Sequence, residues 1–116
     1  MQWAGQHTDG RSGRRVMLRL RRVILDVDKA IKEPSIFVLV EAIQNVSGVA
    51  AVNATLEEMD VDVMGLVLTI EGDGFDYTSV EEAINRTGAV IHSVDQIVAG
   101  EHMIEIPIIK MPTVNM

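Results

Sequence analysis

His92, Ser93 and Asp95 stand close together in the chain and supply the residue types of nucleophilic hydrolysis. A serine attacks when a histidine takes its proton and a carboxylate orients that histidine, so all three must lie in mutual hydrogen-bond reach. A second group, Glu57, Glu58, Asp60 and Asp62, places four carboxylates within six residues. Oxygen donors at that density suit a hard divalent cation, calcium or magnesium, with Glu57, Asp60 and Asp62 as candidate ligands. Their spacing matches no EF-hand loop, and a solvated acidic turn is the simpler reading. Arg22 and Asp26 make a third candidate, a cation and a carboxylate on one side of an alternating stretch.

Such groups act only where the backbone gathers them. Residues Val16–Val27 read as a strand, with Val23, Leu25 and Val27 on one face and Arg22, Ile24 and Asp26 on the other. Lys29 to Pro34 is a polar connection. Ser35 is the expected N-cap of a helix whose apolar residues Ile36, Phe37, Val40, Ile43 and Val46 recur at helical spacing, and Gly48 ends it. Val49–Met59 is a second strand, and Asp60 to Asp62 a turn. Met64, Leu66, Leu68 and Ile70 alternate through a third strand, which Gly72-Asp73-Gly74 is expected to break. Asp76 or Thr78 caps a second helix with a stripe of Val80, Ala83 and Ile84. Val90–Val98 is a fourth strand, stopped by Gly100.

This βαββαβ order predicts an α+β fold, the ferredoxin-like sandwich. One antiparallel four-stranded sheet carries both helices on one face, in spatial order fourth, first, third, second. Residues 1–15 lack a period and read as a mobile basic head, which leaves Met17 as an alternative native start. The domain spans residues 16–100, and residues 101–116 form an apolar arm.

On this topology neighbouring strand residues point to opposite faces, which separates His92 from Ser93 and Asp95 and disfavours a local triad. His92 is then expected to be hydrogen-bonded at the core margin, beside Val90 and Val94. The fourth strand runs antiparallel to the first, bringing Asp26 towards Ser93 and Arg22 towards Asp95 on the face away from the helices. Arg22, Asp26, His92, Ser93 and Asp95 are therefore ligand or interface candidates, with ion pairing or a subunit contact favoured over a ligand site.

Composition removes several classes. Hydrophobic residues make up 47% and charged residues 23% of the 116, as in a globular domain, and with 3% aromatics the core must be aliphatic. The lack of cysteine excludes disulfides, thiol catalysis and thiolate-bound zinc or iron–sulfur clusters. The net charge of −7 is split between a head of +5 over residues 1–22 and a body of −12. An acidic body without aromatics on its central strands is a poor platform for nucleic acid. The longest apolar run, Ile36 to Val40, is far short of the ~20 residues that span a bilayer. No membrane association is expected, and a cytoplasmic location is. Met103, Ile104, Ile106, Ile108 and Ile109, interrupted by Pro107, are too apolar to remain in water. The arm must pack on its own domain or on another chain; adding to a neighbour's exposed strand edge would also hide the bare edges of the sheet, which predicts a homo-oligomer.

Glu33-Pro34-Ser35-Ile36, Gly48-Val49, Val52-Asn53-Ala54-Thr55-Leu56, Thr69-Ile70-Glu71-Gly72, Ile91-His92-Ser93-Val94-Asp95 and Val98-Ala99-Gly100 resemble, in order and spacing, the archaeal domain-of-unknown-function family 211. The resemblance runs from about Leu20 to Gly100. It implies a ferredoxin-like fold, an archaeal cytoplasmic origin and ring-like homo-oligomers, and supplies no activity, substrate or catalytic residue. The arginine-rich head and isoleucine-rich tail depart from it. The leading expectation is a non-enzymatic homo-oligomeric module that binds a small ligand or a divalent cation. The alternatives are an enzyme with an inter-subunit site built from His92 and carboxylates, and a purely structural assembly protein.

Overall fold

The computed structural model describes residues 6–8 and 15–106. A short antiparallel ladder comes first, β1 (Gln6–Thr8) pairing with β2 (Arg15–Met17). Val16 and Met17 belong to this ladder, so the first strand of the main sheet, β3 (Leu20–Ala30), starts later than its alternation suggested. There follow α1 (Ile36–Gln44), β4 (Val49–Met59), β5 (Val63–Phe75), α2 (Tyr77–Arg86) and β6 (Val90–Ala99). The main sheet is antiparallel throughout, in the order β4-β5-β3-β6. This is the ferredoxin-like arrangement read from the sequence.

Period-two burial explains the sheet. Val23, Leu25 and Val27 of β3 and Leu66, Leu68 and Ile70 of β5 are buried together with Leu39, Ile43, Val80 and Ile84 of the helices. One sheet face thus meets both helices, and the other is left to polar chemistry. The caps are those the sequence offered. Ser35 Oγ accepts from the Val38 amide at 3.1 Å. Of the two candidates before α2 it is Asp76 that caps, accepting from the amide and hydroxyl of Ser79 at 3.1 and 2.9 Å.

Two local expectations are corrected. Gly72-Asp73-Gly74 does not break β5, which continues to Phe75 with Gly72 opposite Val49. The Asp73 amide donates to Gly48 O at 2.9 Å, and a Cβ at Gly72 would overlap that same oxygen. The glycine is there to let two backbones approach, not to end the strand. Lys29, expected in a polar connection, is instead buried on the helix face of β3. Its ammonium donates to Ala30 O and Ile31 O at 2.6 and 3.1 Å, which satisfies a charge taken out of water without a carboxylate.

Candidate functional site

The face away from the helices holds the polar residues singled out by sequence. Asp26 of β3 lies opposite Ser93 of β6, as expected. Arg22 does not meet Asp95. Register shifts between Leu20 and Arg22, Ile24 and Leu25, and Asp26 and Val27 displace β6, so that Arg22 lies opposite Val98. His92 and Asp95 are the extra residues of β6, without register partners on β3.

Arg22 instead gathers a different set. Its Nε donates to Glu71 Oε2 at 2.8 Å, Nη1 to Gln96 Oε1 at 3.3 Å, and Nη1 and Nη2 to the two carboxylate oxygens of Glu105 at 3.2 and 2.8 Å. The fork-to-fork bond with Glu105, the geometry for which guanidinium is suited, straps the segment after β6 onto the sheet. Glu105 holds its proton less readily than an ordinary glutamate because the Arg22 guanidinium donates to it, and the same bonds, to Glu105 and then Glu71, raise Arg22 further. A carboxylate with a lowered folded-state value contributes its contact above the ordinary range and loses it as pH falls through that lowered value. The strap should therefore be closed at neutral pH and open only in acid, below the ordinary glutamate range. Amide nitrogen relaxation of residues 101–106 checks this. Fast motion should appear in acid, and Arg22→Ala should produce the same motion at neutral pH.

Arg19 and Arg21 are also engaged within the chain. Arg19 Nε donates to Asp73 Oδ1 at 2.9 Å, which holds the Asp73 carboxyl below its usual range, and Arg21 Nε donates to Gly100 O at 2.8 Å.

No triad forms. Ser93 Oγ donates to Asp95 Oδ1 at 2.8 Å, while His92 Nδ1 lies 3.9 Å from Asp28 Oδ2, too far for a hydrogen bond. The imidazole is not at the core margin, as alternation suggested, but 67% exposed, because the bulge turns it towards Asp28. The acidic turn does not converge either. Asp60 Oδ1 accepts from the amides of Asp62 and Val63 at 3.0 Å each and so shapes the turn itself. Among the described residues no three histidines or carboxylates, Glu57, Asp60 and Asp62 included, come together to hold a metal.

Sequence reasoning missed Glu71, Gln96, Glu105 and Asp28. Asp28 shares a face with Asp26 at period two and was open to discovery; the partners of Arg22 depended on bulges and on the path of the tail. It also missed an apolar groove on the helix side, where Leu18, Leu20, Val23, Tyr77, Val94 and Ile97 surround about 170 Å³. Burial there pushes the Tyr77 phenol up, with the negative charge of Glu81 adding to the effect. No helix among the described residues is long and apolar enough to cross a membrane.

A family model, domain-of-unknown-function family 211, described as "Uncharacterized ArCR", matches residues 21–111. The uncharacterized protein MJ0319 of Methanocaldococcus jannaschii is 36% identical over 86 residues, which cover 74% of this chain and 88% of that relative. The match embraces the sheet, both helices and the Arg22–Glu105 strap, and the chain belongs to the uncharacterised archaeal family 211.

Proposed function

We propose that this protein is a cytoplasmic, non-enzymatic module that assembles with copies of itself. Small-ligand or divalent-cation sites then form where the copies meet. The observation that carries the reading is the apolar surface at two opposite margins of one sheet. On the β6 side Val90, Val94 and Ile97 are exposed; on the far side β4 exposes Leu56 and Met59, and Phe37 of α1 is 88% exposed. Isolated surface apolar residues are ordinary, but rows of them along strand edges invite association. The two margins differ and face apart, so a contact in which either one meets a different surface of the next copy is heterologous, the kind that closes into a ring when the rotation per copy permits.

A cation role follows only at that level, since the carboxylates of one β4–β5 turn do not converge and a second copy would have to complete the set. Size-exclusion chromatography with light scattering tests the assembly. The expected result is one species at several times the chain mass of 12.7 kDa. A monomer at micromolar concentration overturns the proposal. Calorimetric titration of the assembly with calcium, magnesium and manganese tests the ligand part; silence with all three leaves a structural role.

A further inference from the structure

The groove and the tail point to opposite sides of their own sheet. The groove opens on the helix side, and its border strand β6 has one hydrogen-bonding edge unpaired among the described residues. After Gly100 the chain passes to the other side, where Glu105 grips Arg22 beside Glu71 and Gln96. Held there, Ile104 and Ile106 stand 62% and 71% exposed, and neither lines the groove of its own chain. A further ten residues follow Ile106, with Ile108, Ile109 and Met111 among them.

We propose that the tail of one copy, from Ile104 to Ile109, adds as a strand to the free β6 edge of a second copy and covers its apolar groove. The proposal rests on the self-assembly reading above and names its contact. Ile104, Ile106 and Ile108 recur at period two, so an extended tail presents all three on one face, towards Val94 and Ile97. The six residues from Ile104 to Ile109, extended, reach about 20 Å, enough to pair along more than half of the ten-residue β6. When residues 104, 106 and 108 turn their backbone groups to β6, Pro107 turns the other way. Its missing N–H then falls on the outer edge, where it discourages a further strand. The Arg22–Glu105 strap gives the arm its direction: by holding the root of the tail on the far face, it disfavours a return to the groove of the same chain.

The chain has no cysteine, so introduced thiols report without background. Ile97→Cys and Ile106→Cys chains, prepared separately, mixed and treated with a short bis-maleimide, should link mainly as mixed dimers. Ile104→Cys in place of Ile106→Cys gives a second tail position should one register be out of reach. Absence of mixed dimers with both tail positions, while the wild type keeps its assembled mass, overturns the tail contact and leaves the assembly reading standing. A doubly substituted chain that links internally as a monomer shows the tail on its own groove and overturns it too. A monomeric wild type removes both.

Discussion

Phe75→Ala is expected to destabilise the protein by about 3–5 kcal/mol, a large share of the stability of a domain this size. Phe75 is 1% exposed and lies where β5 runs into α2, against the backbones of Gly48 and Gly72. Strand pairing and the Asp73–Gly48 hydrogen bond fix the main chain on this side, and the rest of the surroundings belong to the buried core, so the space the ring vacates closes only in part. The lost burial and the residual cavity therefore add. Urea unfolding followed by circular dichroism measures the change. A loss under about 1 kcal/mol would mean that the joint relaxes freely, against the geometry described.

Gly72→Ala attacks the same joint from the opposite direction. A methyl at this position overlaps the carbonyl oxygen of Gly48 and meets the Phe75 ring at 3.0 Å. Backbone must move, the β4–β5 pairing opens locally, and the expected loss is about 3 kcal/mol, the upper end for overpacking. Gly65→Ala is the control within the same strand. Its new Cβ would meet Glu58 Cγ at 3.2 Å, and a flexible exposed side chain can withdraw. That variant should stay within about 1 kcal/mol of the wild type. Equal losses for the two glycines would show that intrinsic strand preference, and not the close approach to Gly48, governs this position.

The two glycines also mark how far alternation can be read. Val23, Leu25, Val27, Leu66, Leu68 and Ile70 announced their face because burial repeats with the pleat. Gly72 reads as punctuation in a linear chain, and only the strand beside it reveals a contact that excludes a side chain. The candidate site divides in the same way. Asp26 and Ser93 were legible as a pair although only Leu25–Val94 and Asp26–Ser93 stay in step between two register shifts. Arg22 and His92 were not, since a bulge adds one residue to one strand and reverses the inference for what lies beyond it.

By itself the sequence determined the βαββαβ order of the main sheet and helices, the cap at Ser35 and the aliphatic core, which depend on neighbours a few residues apart, and the family, through short motifs in a fixed order. The tertiary structure alone decided the burial of Lys29, the exposure of His92, the grip of Arg22 on Glu105, and the groove between α2 and β6. The physical reason is range. Helix periodicity, capping and strand alternation are local properties of the backbone, whereas bulges and cross-strand partners are set by the packing of segments distant along the chain.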